Sequence, residues 1–495
     1  MKSITYILFL CCILISCSSN HQNVKIEKAL ILAGKNRSTL ENVLKHYKDD
    51  SLKYQAACFL IENMPYHYSL EEYFLSPKGE KYRPNICNFK NANDLQKHCD
   101  SLINVGYKIE QNLLYDIETI SEELLLNNIE LAFKVWKKPW NENVSFEDFC
   151  KYILPYKAQV EQLSNLREKM MMKFLPILDS AKVTTPLEAC KTLNKHLSSV
   201  VRYKETGLPF YPTIEEVYKS GISRCEGICN LGIYIMRAVG IPVTVDFTIW
   251  TKMDLGHSWC AVLNNGRFYS FGPGEDQPEI HAKNFSLIRH RRPAKVYRFL
   301  YDFQFKKSYN KYTTFLENPF LQDVTHEYLD TPTSFHVPVL NKNESINDDI
   351  FLCAYNYYEW KPLALGKYKT NGTCYFENVV GDNIFIVAKA VNDKIIKFIT
   401  APFYVNRSGN IHLLIPNYNK KFPFTLKKKI SGEPYILQYW DTNANAFTSI
   451  PYIESTDTSQ TYKEIPDNAL FWFITPKRIV NQRIFIIDND TIRYY

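Results

Sequence analysis

The spacing of hydrophobic positions changes along the chain, and the first third has the spacing of helices. Apolar residues recur every three or four positions, as at Leu40, Val43 and Tyr47, which is typical of amphipathic helices. The pattern predicts an α-helical N-terminal domain over residues 18–172, with residues 68–99 as a long loop rich in Pro and Tyr. The segments with helical spacing are 24–68, 113–136 and 146–172.

Strand signals dominate after residue 300. Short runs of β-branched and aromatic residues are separated by turn residues there, a pattern typical of antiparallel sheets. It predicts a β-sandwich over residues 301–420 and a further β-rich domain over residues 421–495. The predicted strands are 351–355, 374–376, 384–388, 395–399, 411–415, 435–440, 470–474 and 483–487.

Between these parts, residues 173–300 mix the two patterns. Thr213 and Glu216 form a capping-box pattern, and Gly221 is placed to end that short helix. An apolar helix is predicted over 225–239, followed by strands at 243–250, 257–263 and 267–271. With 495 residues the chain is too long for a single core. The whole is therefore predicted to be an α+β multidomain protein.

The N-terminus indicates export. Lys2 precedes an apolar run that is too short to span a bilayer and ends in Ser16-Cys17. This resembles a lipobox, so residues 1–17 are interpreted as a lipoprotein signal peptide with Cys17 as the lipidated residue. An ordinary cleaved signal peptide or a lone membrane anchor is the alternative. We expect a lipid-anchored protein of the cell envelope, on the periplasmic face or at the cell surface of the outer membrane; the sequence does not indicate which leaflet.

Composition excludes some partners and cofactors. The net charge of +7 is dispersed along the chain, which does not favour a nucleic-acid groove. None of the 13 cysteines has zinc-ligand spacing, so no metal and no cofactor is predicted. Disulfide pairing and oligomeric state are not readable from the sequence.

One group of residues in this middle region has the pattern of a catalytic site. Cys225 opens the predicted apolar helix in Arg224-Cys225-Glu226-Gly227, and His257 opens a predicted strand in Gly256-His257-Ser258-Trp259. A thiol at a helix N-terminus is expected to have a lowered pKa, and the N–H groups there can hold an oxyanion. A nearby His can remove the thiol proton. Cys225 is therefore the candidate nucleophile and His257 the candidate base.

The segment 187–273 resembles the transglutaminase-like superfamily, whose core is papain-like. The resemblance rests on the Cys-Glu-Gly entry to a helix, the Arg237-Ala238-Val239-Gly240-Ile241-Pro242 exit, and the His-Ser-Trp strand. Two earlier phrases, at 146–150 and 153–156, resemble large lipoproteins of gut Bacteroidetes that carry this core. The resemblance implies a core over residues 173–300 in which the Cys helix packs on an antiparallel sheet.

The chain departs from that family at one position. The family places an Asp just before a Pro to orient the His, and here that slot is Gly272-Pro273. Glu275 is the first candidate replacement, followed by Asp276, Ser270 and a backbone carbonyl near Gly272.

Other residues near this constellation receive lesser assignments. Trp259 is expected to pack on the sheet and to wall the substrate cleft, where Glu226 can also contact substrate. The cysteines at 229 and 260 are predicted core residues, and the histidines at 281 and 290 are predicted to lie on the surface.

Two functions remain open from the sequence. The first is a cysteine peptidase or amidase, with thiol-dependent acyl transfer from a peptide or glycopeptide amide. Water as acceptor makes this hydrolysis, which we favour, and an amine makes it crosslinking. The second is a degenerate core that binds peptide or glycan at the cell surface without turnover, which the vacant acid position supports.

Overall fold

The structure is a computed structural model that describes most of the chain. The described residues are 23–201, 210–221, 223–281, 292–304, 315–329, 332–341, 350–390, 396–428, 434–475, 482–488 and 491–495. The signal peptide, Cys17 and His290 lie outside this part. The chain divides into two compact units. The first comprises Met1–Asp246, Ser258–His281 and Phe299–Gln304, and the second comprises Phe247–His257, Ala282–Arg298 and Phe305–Tyr495.

The first unit contains six strands and ten α-helices whose first and last residues both lie in the described part of the chain. The helices are α1 (Arg37–His46), α2 (Ser51–Asn63), α3 (Ala92–Asn104), α4 (Asp116–Thr119), α5 (Glu122–Trp136), α6 (Phe146–Tyr152), α7 (Arg167–Ala181), α8 (Pro186–Leu197), α9 (Ile214–Ser220) and α10 (Cys225–Ala238). The strands are β1 (Tyr68–Leu75), β2 (Lys81–Tyr82), β3 (Lys108–Tyr115), β4 (Val243–Ile249), β5 (Gly256–Asn264) and β6 (Arg267–Phe271). The division into units passes through β4 and β5.

A three-stranded sheet interrupts the N-terminal helices, so the prediction of a loop over residues 68–99 is wrong. Its strand order is β2-β1-β3, with β1 antiparallel to both neighbours. The hydrophobic pattern missed it because β3 is almost wholly exposed and β1 carries two adjacent glutamates, so neither strand alternates apolar with polar residues. The helix predicted over 146–172 is also interrupted, between the end of α6 and the start of α7.

Helix α10 lies at the centre of the first unit. Every residue from Gly227 to Ala238 is buried, and the helix packs against α5, α7, α8 and α9. A helix that is buried all round needs apolar residues on every face, and this segment has them. One hydrophobic cluster joins α10 to the N-terminal helices, with Leu40, Leu125, Leu231 and Val262 among its buried members.

The sheet beside α10 has the order β6-β5-β4. Strands β5 and β6 form an antiparallel hairpin in which Cys260 pairs with Phe271 and Asn264 with Arg267. The turn uses Asn265 and Gly266, both at positive φ, as the Asn-Asn-Gly sequence predicts. The predicted helix and strands of residues 225–271 are thus confirmed to within a residue or two.

The second unit is β-rich. Its elements are β7 (Tyr297–Phe299), β8 (Leu321–Asp323), α11 (Thr325–Tyr328), β9 (Pro332–Pro338), β10 (Ile350–Asn356), β11 (Glu359–Lys369), β12 (Thr373–Val380), β13 (Asn383–Ala390), β14 (Ile396–Phe398), β15 (Phe403–Val405), β16 (Ile411–Leu413), β17 (Asn417–Lys427), β18 (Ile436–Asp441), β19 (Ala446–Ile450), β20 (Glu454–Ser455), β21 (Ser459–Asp467), β22 (Phe471–Ile474), β23 (Phe485–Asp488) and β24 (Thr491–Tyr494).

These strands form several sheets. In the described part of the unit, an eight-stranded sheet has the order β16-β15-β13-β10-β11-β12-β9 with β14 beside β13. A five-stranded sheet has the order β19-β18-β22-β23-β24, and a three-stranded sheet has the order β17-β21-β20. The fold class predicted from the sequence is therefore confirmed, while the sandwich arrangement and the domain boundaries stay predictions.

Candidate active site

Cys225 is the first residue of α10. The preceding helix α9 ends at Gly221, which adopts φ 65° as its C-cap, and the chain enters α10 through Arg224 in extended conformation. Arg224 makes no side-chain capping bond to the first turn. The start of α10 therefore lacks the side-chain cap that would otherwise occupy its N–H groups.

The first turns of α10 run along strand β5. The backbone N–H of Ser258 hydrogen-bonds to the Cys225 sulfur, and the Cys260 thiol contacts the carbonyl oxygen of Cys229 at 3.6 Å. Four helical residues rise about 6 Å and two strand residues advance about 6.6 Å. The distance between the two contacts is therefore about the same along the helix and along the strand, so the two elements run side by side. Cys225 lies against Ser258, the strand residue that follows His257.

His257 is half-buried, and its ring stacks on Trp250. The two ring centroids are 6.0 Å apart with an interplanar angle of 16°. A flat stack of this kind restricts rotation of the imidazole about its side-chain bonds. The sequence predicts only residues 270–276 as groups that orient His257, and Trp250 is not among them. Trp250 follows β4 directly, and this position next to a strand of the core is the only sequence feature that points to a role beside His257.

The loop after β6 forms a closed turn at the vacant acid position. The N–H of Glu275 donates to the carbonyl of Gly272 at 3.0 Å, and the N–H of Gly272 donates to the carbonyl of Asp276 at 3.1 Å. Asn194, which is 2% exposed, holds this turn from α8. Its amide nitrogen donates to the carbonyls of Gly272 and Asp276 at 3.1 and 3.2 Å, and its oxygen accepts from the N–H of Gly274 at 2.8 Å.

Asn194 was missed from the sequence. It stands among the buried apolar residues Cys190, Leu193 and Leu197 of α8, and a lone Asn on the apolar face of a helix was the available signal. A buried amide must find partners, and here the partners are the backbone of the loop that carries the candidate acid.

Glu275 folds back over the loop. Its side chain is exposed, yet its carboxylate Oε2 lies 3.3 Å from the point where a Cβ on Gly272 would be. Its charge also reaches α10, because burial raises the pKa of the Cys229 thiol and the Glu275 carboxylate adds to that increase. The Glu275 carboxylate therefore faces Gly272, the position where the family has its Asp. Its charge reaches Cys229, which lies one helical turn along α10 from Cys225.

His281 is buried, so its prediction as a surface residue is wrong. It is 6% exposed, and its Nδ1 is hydrogen-bonded to Ser270 Oγ at 3.0 Å. Its ring also lies 5.7 Å from that of Trp259. The Ser270 hydroxyl, a candidate partner for His257, is therefore engaged by His281.

Trp259 is 0% exposed. Its expected packing role is observed, but a side chain without exposed surface cannot also wall an open cleft. The apolar character of the strand around it explains the burial, because Cys260, Ala261 and Val262 are equally buried.

The electrostatics at Cys225 differ from the expectation. Burial raises the pKa of the Cys225 thiol, and the carboxylate of Glu226 raises it further. The thiol contacts Glu226 Oε2 at 3.5 Å. The hydrogen bond from the Ser258 N–H acts in the opposite sense. The prediction of a pKa lowered by the helix N-terminus is thus wrong, because desolvation and a neighbouring negative charge outweigh the helix end.

Other features of the described residues bear on possible ligands and bonds. The ten cysteines among them are all free thiols, and no group of three or more His, Cys, Asp or Glu side chains in that part of the chain is arranged to hold a metal ion. No helix within the described ranges is both long and apolar enough to cross a membrane.

Residues 178–273 match the family model described as the transglutaminase-like superfamily. The matched segment is about a fifth of the chain and contains Asn194, Cys225 and His257, while Glu275 lies just beyond it. The resemblance drawn from the motifs is confirmed: this part of the chain is similar to the transglutaminase-like superfamily.

Among solved structures, the chain is similar to a protein from Cytophaga hutchinsonii described as a "Putative Cysteine Protease". The two sequences are 16% identical, the match covers 23% of this chain and 39% of that one, and the TM-score is 0.20. No curated protein matches the sequence.

Proposed function

We propose that this protein is a thiol-dependent amidase that hydrolyses a peptide or glycopeptide bond, with Cys225 as nucleophile and His257 as general base. The observation that carries the proposal is the contact between the Cys225 sulfur at the start of α10 and the N–H of Ser258. That contact brings the candidate nucleophile beside the strand position that follows the candidate base.

The proposed reaction has two halves. The Cys225 sulfur attacks the amide carbonyl carbon while His257 takes the thiol proton, and N–H groups at the start of α10 receive the oxyanion. The intermediate collapses, the C–N bond breaks, and His257 donates its proton to the leaving amine. Water then attacks the thioester as His257 takes its proton, and the acid is released with Cys225 protonated again.

The raised pKa of Cys225 bears on the timing of the first proton transfer. Because burial and Glu226 favour the neutral thiol, proton removal by His257 is expected to accompany attack on the carbonyl. The rate should then rise with pH as His257 becomes neutral. The stack on Trp250 and the folded-back Glu275 support a role for both in orienting the imidazole.

A catalytically inactive binding module is the second candidate. Two observations favour it: the acid slot is occupied by Gly272-Pro273, and the environment of Cys225 disfavours the thiolate. In this alternative the core would hold a peptide or glycan without cleaving it.

We further propose that the chain is lipid-anchored in the cell envelope through Cys17. The apolar run that ends at Ser16-Cys17 supports this. Metabolic labelling with a palmitate analogue tests it, with the Cys17→Ala chain as control. Equal labelling of both chains would refute the anchor.

The deciding experiment compares the full chain with its Cys225→Ala and His257→Ala variants on a peptide mixture analysed by mass spectrometry. We expect new peptide termini with the unaltered chain and none with either variant. A Cys229→Ala variant is the matched control, since Cys229 lies one turn along the same helix and is buried. Cleavage that survives Cys225→Ala refutes the nucleophile. If the unaltered chain and every variant bind peptide but none of them cleaves it, the binding module is favoured.

A further inference from the structure

Strand β3 is an edge strand of the small sheet β2-β1-β3, and its outer side is open. It spans Lys108–Tyr115 and pairs with β1 over its full length without a bulge. Six of its eight residues are exposed. Natural proteins usually shorten, bend or cover such an edge, because its unpaired backbone groups can pair with another chain. An open edge of this length is therefore a candidate binding surface.

The hydrogen bonds of β1 show which backbone groups of β3 point outward. The N–H of Leu70 donates to the carbonyl of Val160 and so points away from β3, and Leu70 pairs with Leu113. Hydrogen-bonded and non-hydrogen-bonded pairs alternate along an antiparallel ladder. The N–H and C=O groups of Ile109, Gln111 and Leu113 therefore point away from β1. Within the described ranges, none of these groups has another backbone partner.

The side chains of β3 add an exposed apolar row along this edge. Residues two apart in a strand lie on the same face, so Ile109, Leu113 and Tyr115 share one. These side chains are 44%, 47% and 39% exposed. Apolar side chains at alternate positions of an edge can pack against those of an added strand. The backbone groups thus require an extended chain, and the side chains favour one that is apolar at alternate positions.

The opposite face of β3 carries two charges, on Lys108 and Glu110. Both residues are exposed, and neither forms an ion pair with another described residue. An added strand with a basic residue opposite Glu110 and an acidic residue opposite Lys108 would complement both charges. A second copy of β3 placed symmetrically about Gln111 would set Glu110 opposite Asn112 and Lys108 opposite Leu114, so both charges would stay without a partner. The charges therefore favour a peptide over a second copy.

The sheet connects this open edge to the candidate active site. Gln111 pairs with Glu72 of β1, and the Glu72 carboxylate accepts a hydrogen bond from the N–H of Tyr211. Glu72 and Tyr211 line a cavity together with the residues on either side of Cys225. All of these residues belong to the first unit. Because neighbouring strands are about 4.8 Å apart, a strand added to β3 would lie about 10 Å from the strand that lines this cavity.

We propose that β3 binds an extended segment of the peptide substrate as an added antiparallel strand, at a distance from the bond that is cleaved. The outward backbone groups of Ile109, Gln111 and Leu113 hold the segment. The charges of Lys108 and Glu110 select among peptides. Strand addition is a common way for an open sheet edge to bind a peptide, and both existing pairings of this sheet are antiparallel. The inference rests on the proposed function, because it takes a peptide to be the substrate.

Equilibrium binding tests the assignment without turnover. The protein is the full chain with Cys225→Ala, and the probe is fluorescein-labelled Val-Thr-Val-Lys-Val-Glu amide, which can place its lysine opposite Glu110 and its valines beside Ile109 and Leu113. Fluorescence anisotropy gives the dissociation constant. N-methylation of the second and third valines removes N–H groups that would face β3 and should weaken binding about tenfold or more. N-methylation of the threonine and the lysine, whose N–H groups would face away, should leave the dissociation constant unchanged.

Position 111 provides matched protein variants. Gln111→Pro removes an outward N–H, and proline is tolerated at such positions of an edge strand. It should weaken binding of the probe about tenfold, whereas Gln111→Ala keeps the N–H and should not. Glu110→Lys should reverse the preference for lysine over glutamate at the fourth probe position, by about threefold in each direction. Circular dichroism checks that each variant is folded.

Four results would overturn the assignment: no measurable binding of the probe, equal dissociation constants for the two N-methylated probes, weaker binding of the probe methylated at threonine and lysine, or unaltered binding in Gln111→Pro. A dimer that forms without peptide and dissociates in Gln111→Pro would assign the edge to a second copy instead.

Cleavage separates the substrate assignment from the proposed function. With Cys225 intact, Gln111→Pro should lower the yield of cleaved peptides about tenfold at low peptide concentration, and Gln111→Ala should not. An unaltered yield in Gln111→Pro, despite lost probe binding, would refute the peptide on β3 as substrate. Absence of cleavage by the unaltered chain, with the alternating effect of N-methylation intact, would count against the proposed function alone.

Discussion

Replacing Glu226 by Gln isolates the charge that sets the reactivity of Cys225. Glu226 Oε2 lies 3.5 Å from the Cys225 sulfur, and its carboxylate raises the pKa of that thiol. Gln keeps the length of the side chain and an oxygen acceptor while removing the negative charge. The pKa of Cys225 should therefore fall, and more thiolate should be present at any pH below the pKa.

The size of the effect follows from the distance. Two unit charges 3.5 Å apart interact by ~1.2 kcal/mol in a water-like dielectric and by ~5 kcal/mol at an effective dielectric constant of about 20. The smaller value corresponds to somewhat less than one pKa unit, or roughly eight times more thiolate. Because intrinsic nucleophilicity falls with pKa at a Brønsted slope of about 0.45, the alkylation rate should rise roughly threefold or more.

The assay follows iodoacetamide labelling of Cys225 by peptide mass spectrometry over a series of pH values. Exposed Cys87 in the same digest is the internal reference for reagent activity. Glu123→Gln is the matched control, since Glu123 is also an acid in the first turn of a helix. An identical pH profile for Cys225 in Glu226→Gln and in the unaltered protein would refute the electrostatic argument.

Three further predictions concern the supports of the site. Glu275→Ala should lower turnover about tenfold with folding intact, as loss of an orienting hydrogen bond would; full activity of both this variant and Asp276→Ala in a peptide-cleavage assay would contradict the replacement of the missing acid. Asn194→Leu removes three hydrogen bonds and should destabilise the first unit by about 2–3 kcal/mol, at about 1 kcal/mol for each bond. The loss is measured as a shift in the urea midpoint of unfolding, and an unshifted midpoint would show that the turn does not depend on these bonds. Asp116→Asn leaves the 1%-exposed Lys157 side chain without its counter-charge and should cost about 3–5 kcal/mol; unchanged thermal unfolding would rule this out.

Local patterns were sufficient for the core elements. The capping box of Thr213 and Glu216 forms as predicted, and α10 begins at Cys225. Caps and turns are interactions between residues close in sequence, so the residues themselves specify them. The motifs around Cys225 and His257 also predicted the similarity to the transglutaminase-like superfamily. For the same reason the exposed strand β3 was missed, because a strand without a buried face leaves no alternating pattern.

What depends on distant partners was decided only by the tertiary structure. Burial of His281, its hydrogen bond with Ser270 and the three bonds of Asn194 to the loop after β6 depend on how separate elements pack against one another. The direction of the pKa shift at Cys225 is also decided only by the tertiary structure. The sequence determined that a thiol opens a helix, but the fold determined how much water that thiol loses. Desolvation depends on everything packed around a group, and no local pattern encodes it.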